Sequence, residues 1–406
     1  MTRYTRLTDR MSLGLRHGFG ARLVSGDEDE VMLYIAGYEL EGSLWTLPSR
    51  IYTIQSITIP NGVINLTGKE RILAAFERRE ADRPPYDFWA EEVTINRLGE
   101  YLGYHDINRF LKEMDVDVRS FQSVEPPFKR LQSGFYENIW GERFTYRETG
   151  WGPMREDTYG ALNEAQSMDD IVNHPWPSND IMNFGHLKRQ FEAARAGGYA
   201  IRYGYGDIWQ RALNVRGMEN HLLDMIVHPE WVHYMSRKLT DFYLRDYSRA
   251  WEISGGNIDF FFICSDIGTQ NGPLISIPMF KEFLAPYIRE IADLVHGFGS
   301  KLLYHTCGDV SAFIPAIIAC DIDILNPLQP AGPGMRPEAL RQWADRLVFH
   351  GGIDVQHLLP FKAPGEIQDT VRRYANTLGP GYIVASTHFF QPDTPPENIV
   401  AMYQAF

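Results

Sequence analysis

The spacing of apolar residues divides the chain near Thr67. From there on, apolar runs of strand length alternate with segments whose apolar residues recur at helical spacing. The strand-like runs are PPYDFW (84–89), DVDVRSF (115–121), AIRYGY (200–205), IDFFFICSDI (258–267), KLLYHTC (301–307), DILNPL (323–328), LVFHGGI (347–353) and YIVASTHF (382–389). Several are apolar almost throughout, as strands covered on both faces must be. Between them, PMFKEFLAPYIREIADLVHGFG and PGEIQDTVRRYANTLG read as helices that stop at a glycine. TGKE (67–70) reads as a capping box, with Thr67 at the N-cap and Glu70 three residues into the helix. The alternation predicts an α/β fold, a (β/α)8 TIM barrel over 67–406. An aromatic and glycine-rich stretch at about 130–165, GFYENIWGERFTYRETGWGP, reads as a β-hairpin insertion, a candidate cap over the barrel mouth. Residues 1–66 form an N-terminal extension of strand-like composition. Two readings of it stand: accessory strands, or a start assigned too far upstream.

Composition narrows the function classes. The 406 residues are 44% hydrophobic and 22% charged, ordinary for a globular protein. A net charge of -13 argues against nucleic acid or an anionic membrane as partner, since both need basic surface. The cysteines Cys264, Cys307 and Cys320 are too few for a disulfide framework and suit a reducing compartment. No apolar run reaches the roughly 18 residues that span a bilayer. The first thirty residues hold five arginines and no apolar core of a secretory signal, so a cytoplasmic location is expected.

Barrel enzymes carry their chemistry at the C-terminal ends of the strands. Here those ends hold Asp87, Asp207, Asp266, His305, Cys307, Asn326, Gln329, Asp354 and His388. His305 and Cys307 sit two apart in KLLYHTCGDV, so in a strand their side chains share one face. Alone, such a pair is equally a buried histidine beside an inert thiol. His388, at the end of the last strand, supplies a third ligand if both strands face the barrel axis. Three protein ligands with a fourth position open is the arrangement of a catalytic zinc site, and zinc accepts a mixed imidazole–thiolate set. Asp266 and Asp354 are then candidate acceptors for the histidine N–H groups, and Asp87 is a third acidic candidate at the mouth. Tyr205, Asp207, Asn326 and Gln329 are the substrate-side candidates. Glycines 204 and 206 are read as a sharp turn below a ligand. His350 and His357 are read as packing residues outside the metal site.

Three segments, TGKERILAAFERREADRPP, HTCGDV and QPDTPPENIVAMY, resemble the uroporphyrinogen decarboxylase superfamily over about 67–406. The resemblance implies the TIM barrel and leaves two branches. One is the metal-free decarboxylase of haem synthesis. The other holds zinc methyltransferases that work with corrinoid proteins, whose motif is His-x-Cys on one strand and a cysteine near the chain end. His305 and Cys307 match the first part, and His388 falls where the last cysteine would be. One thiolate and two imidazoles leave Zn²⁺ with net positive charge, which makes ether or amine demethylation at least as good a reading as thiol methylation. The decarboxylase's arginine-rich motif is missing, although Arg83, Arg97, Arg202 and Arg211 remain as candidate cations. The primary expectation is a methyltransferase using Zn²⁺ and the corrinoid of a partner protein, acting on a small-molecule methyl donor or acceptor, with no nucleic-acid or membrane partner. A homodimer is compatible with this reading. The alternatives are a uroporphyrinogen decarboxylase-type enzyme and a non-catalytic zinc- or corrinoid-binding protein.

Overall fold

The structure is a computed structural model that describes residues 65–406 and, before them, three strands: β1 (Phe19–Ser25), β2 (Val31–Gly37) and β3 (Tyr52–Thr53). Two compact units divide the chain, Met1–Asn65 and Leu66–Phe406. In the first, β1 pairs antiparallel with β2, and β2 with β3.

The second unit opens with helix Gly68–Phe76, and the expected capping box is formed. Thr67 Oγ1 accepts from the Glu70 amide at 3.3 Å, and the Glu70 carboxylate accepts from the Thr67 amide at 2.9 Å. Its strands are β4 (Val118–Phe121), β5 (Lys129–Arg130), β6 (Tyr136–Glu137), β7 (Arg143–Thr149), β8 (Gly152–Tyr159), β9 (Ala200–Asp207), β10 (Phe260–Cys264), β11 (Gly268–Thr269), β12 (Gly272–Pro273), β13 (Lys301–His305), β14 (Ile324–Asn326), β15 (Val348–His350) and β16 (Tyr382–Ile383). Seven of them form a parallel sheet in the order β16-β15-β14-β13-β10-β9-β4. The segment 84–89 joins its two edges. The Val384 amide donates to Pro85 O and the Asp87 amide to Val384 O, while on the other side the Asp117 amide donates to Tyr86 O. The sheet is thereby a closed eight-membered ring of the TIM-barrel type, and all eight predicted strand regions take part.

Alternation along β10 shows how the ring is filled. Phe260, Phe262 and Cys264 face the barrel interior with Leu303, Ile324, Val348 and Ile383. Phe261 and Ile263 face the surrounding helices. Burying one such phenylalanine is worth about 1.5–3 kcal/mol. At the N-terminal end, Arg83 and Arg71 enclose the buried carboxylate of Asp117 at 2.7 and 2.9 Å. Arg83 is therefore at the end of the barrel away from the ligand-bearing strand ends.

The expected insertion is a four-stranded antiparallel sheet, β5-β6-β7-β8, whose long hairpin turns between Thr149 and Gly152. Gly204 and Gly206 do not make the expected turn under a ligand. A Cβ at either would lie 2.7 or 2.3 Å from the ring or hydroxyl of Tyr247, which packs there from helix Pro229–Ser254. The register between β9 and β10 shifts across Phe261 and Ile263. This bulge turns Tyr205 inward to stack on Phe262, with ring centroids 5.0 Å apart. Among the described residues, no helix is long and apolar enough to cross a membrane.

Candidate metal centre

β13 directs Leu303 and His305 into the barrel, and Cys307 follows on the same side just beyond the strand. Gly308 then takes a left-handed φ of 89° against Gly268, and the two loops touch where no side chain could fit. This close approach seats Cys307 beside the loop after β10. The His305 Nε2–Cys307 Sγ separation is 3.3 Å, and the rings of His305 and His388 are 5.7 Å apart. Ligand atoms of His305, Cys307 and His388 all lie within 4.8 Å of one another. The three expected ligands are thus brought together. His305 is buried and the other two are half-buried, so the cluster opens outward.

A second group, Cys264, Asp266 and His305, meets the same distance limit. Asp266 Oδ1 accepts from the Cys307 amide at 2.7 Å and lies 3.7 Å from His305 Nε2. It does not take the second N–H of a ligand histidine, the role expected of it. That role falls to Asn326, whose Oδ1 is 2.5 Å from His305 Nδ1. Asn326 is wholly enclosed, and its amide nitrogen is 2.8 Å from His350 Nδ1, so it is a holder of histidines rather than a substrate contact. His350 continues inward through Nε2, 3.0 Å from Asp87 Oδ2. Asp87 also accepts from Arg202 Nη1 at 2.7 Å and Trp89 Nε1 at 2.8 Å. Buried on all sides, Asp87 belongs to the barrel interior and not to the open mouth.

Asp354 is not an acceptor for a histidine either. Its carboxylate caps its own loop, taking the amides of Gln356 and His357 at 2.9 and 3.1 Å. Asp207 is buried and accepts from the Arg211 amide at 3.2 Å. Tyr205 is 42% exposed and Gln329 faces the cavity described below.

Burial sets the charge state of these groups. It lowers the pKa of His305 against the opposing pull of Asp266 and Asn326. It lowers His388 as well, with His305 adding to the effect. Both rings are held neutral, the form in which imidazole binds a metal. Burial, reinforced by Asp266, raises the Cys307 thiol, so a cation is needed to displace its proton. Asp207 is pushed up to about 7 by burial, with Arg211 opposing and Asp266 adding to the rise. Burial also works to raise Asp87, but Arg202 and His350 hold it below the usual carboxylate range.

Cys307 and His388 form part of the wall of a cavity of about 780 Å³ at the C-terminal ends of the strands. Trp151 and Met154 from the β7–β8 hairpin also line it, as do Gln329 and Gln356. Among the described residues, none that lines it is lysine or arginine. Arg202 is committed to Asp87, and Arg211 to Glu142 at 2.8 Å. Arg97 lies over the ring of Trp151, 4.9 Å from its centroid.

Comparison with known proteins agrees with this architecture. Residues 209–406 match the family model described as Uroporphyrinogen decarboxylase (URO-D). The matched region contains HTCGDV and QPDTPPENIVAMY, and the resemblance read from those segments is borne out. No curated protein matches the chain. Among solved structures, a methyltransferase from Methanosarcina mazei superposes with a TM-score of 0.63 at 14% identity, covering 84% of this chain and 98% of its own. An N-acetyl-D-glucosamine-6-phosphate deacetylase from Mycobacterium smegmatis has a TM-score of 0.27 at 13% identity over 55% of this chain and 54% of its own, and carries no argument.

Proposed function

From a chain whose residues 209–406 carry a uroporphyrinogen decarboxylase-family domain, we propose a methyltransferase that moves a methyl group between a small molecule and the cobalt of a corrinoid protein, with zinc held by His305, Cys307 and His388. The observation that carries this reading is the convergence of those three ligand atoms within 4.8 Å, with Cys307 and His388 on the wall of a cavity and His305 buried behind them. Neutral imidazoles and a thiol in need of a displacing cation form a donor set that fits zinc. Bound there with one thiolate and two imidazoles, zinc supplies Lewis acidity toward an oxygen, nitrogen or sulfur atom of the substrate.

The chain's own residues shape what can enter. Trp151 and Met154 place apolar surface over the cavity, and Gln329 and Gln356 add neutral polar groups. A polycarboxylate needs convergent arginines or lysines. Among the described residues the cavity wall has none, and Arg83, Arg202 and Arg211 are each bound to a carboxylate elsewhere. This supports a methyl ether, amine or thiol over a porphyrinogen. The solved structure from Methanosarcina mazei that shares this fold is itself named a methyltransferase, in line with that branch.

The test uses cob(I)alamin as the probe for the cobalt centre. Zinc-replete protein is mixed with cob(I)alamin and a panel of methyl ethers, methylamines and methyl thioethers, and the visible spectrum is followed. Methylcobalamin should form with at least one donor and fail to form with Cys307→Ala. Decarboxylation of a porphyrinogen by the purified protein, with no methyl transfer, would overturn the proposal.

A further inference from the structure

The buried side chains behind the ligand cluster form a continuous hydrogen-bonded line that crosses the barrel interior from three neighbouring strands to the 84–89 segment. It runs from His305 on β13 through Asn326 on β14 and His350 on β15 to Asp87 in the 84–89 segment. We propose that Asp87, His350 and Asn326 are positioning residues that lock His305 in the tautomer with its proton on Nδ1, leaving the Nε2 lone pair aimed at the metal. This inference deepens the zinc reading and rests on it for its purpose.

The direction of each hydrogen bond follows from the donors and acceptors in contact. Asp87 receives Arg202 Nη1, Trp89 Nε1 and the Phe88 amide, which can only donate. It is therefore an acceptor toward His350 as well, and His350 Nε2 carries the hydrogen. The Asn326 amide has its own marker: its nitrogen is 3.2 Å from the backbone carbonyl oxygen of His350, which can only accept. The NH₂ end thus faces His350 and donates to Nδ1. Asn326 Oδ1 consequently faces His305 and accepts from its Nδ1–H. His305 Nε2 is left without a hydrogen, 3.3 Å from Cys307 Sγ. Turning the Asn326 amide over would set its oxygen against the His350 carbonyl and its NH₂ toward His305 Nδ1. His305 would then carry its hydrogen on Nε2, where it would face the metal. All four residues are buried, so water cannot take over a broken link.

The tautomer can be read without the metal. In zinc-free protein labelled with ¹⁵N-histidine, long-range ¹⁵N–¹H spectra, assigned by the signals lost in His305→Gln, should show His305 with its hydrogen on Nδ1. Asn326→Leu should populate the other tautomer and weaken zinc binding, measured by chelator competition, about 10–100-fold. Asn326→Asp keeps an oxygen on Nδ1–H and should keep the tautomer, with zinc affinity above that of Asn326→Leu but below wild type because its second oxygen faces the His350 carbonyl. A hydrogen on Nε2 in the zinc-free wild type would overturn the proposal. So would zinc affinity in folded Asn326→Leu equal to that of the wild type. A wild type with the expected tautomer that binds no zinc would leave the line of residues standing and refute the metal reading instead.

Discussion

Two aspartates near the cluster have opposite prospects on losing their charge. Asp266 Oδ1 holds the Cys307 amide, and its negative charge faces His305. Asp266→Asn keeps an oxygen for that amide and removes the charge. We expect the variant to retain metal at high zinc concentration while affinity or activity falls about 10–100-fold. Full activity at limiting zinc would remove Asp266 from the mechanism. Asp207 behaves differently. Its folded-state pKa, about 7, lies above the model-peptide value of 3.8, so the native state binds its proton more tightly than the unfolded chain does. The sign follows from linkage: stability contributed by that proton is present at low pH and is lost as pH rises from about 4 to about 7. Asp207→Asn mimics the protonated form. Its melting temperature relative to wild type should therefore climb across that window. A difference that stays constant with pH would show that Asp207 ionises normally in the folded protein.

At the scale of elements, the hairpin β7–β8 matters through what it places over the cavity. Trp151 and Met154 lie on its wall, and Arg97 rests on the Trp151 ring. Trp151→Ala should raise KM for the small-molecule substrate while leaving zinc stoichiometry unchanged. Loss of zinc in that variant would mean that the hairpin supports the metal ligands themselves. The eight strands were legible in the sequence because strands buried on both faces must be apolar almost throughout, and 258–267 and 301–307 satisfy this plainly. His305 and Cys307 were legible for a similar reason, since period two places them on one face. The partners of His305 were not. His305 contacts Asn326, 21 residues further on, and Asn326 in turn contacts His350, 45 residues beyond His305; only the pairing of β13 with β14 and of β14 with β15 brings them together. His350 accordingly read as a packing residue and Asn326 as a substrate contact. The close packing of Tyr247 on Gly204 and Gly206 was hidden too, because Tyr247 lies 43 residues beyond Gly204, on a helix.

At the scale of the whole molecule, the barrel unit begins with its own cap. Thr67 and Glu70 cap its first helix reciprocally. We therefore expect a chain starting at Leu66 to fold with a melting temperature close to that of the full chain. Aggregation of that shorter chain would show that the preceding residues cover core surface. The proposed zinc ion lies between the strand regions ending at Cys307 and His388. Elemental analysis of protein purified under zinc-replete conditions, wild type beside Cys307→Ala, tests it most directly. One equivalent of zinc per chain is expected in the wild type and most of it lost in the variant; a wild type without zinc, or a folded Cys307→Ala that keeps a full equivalent, would overturn the zinc site.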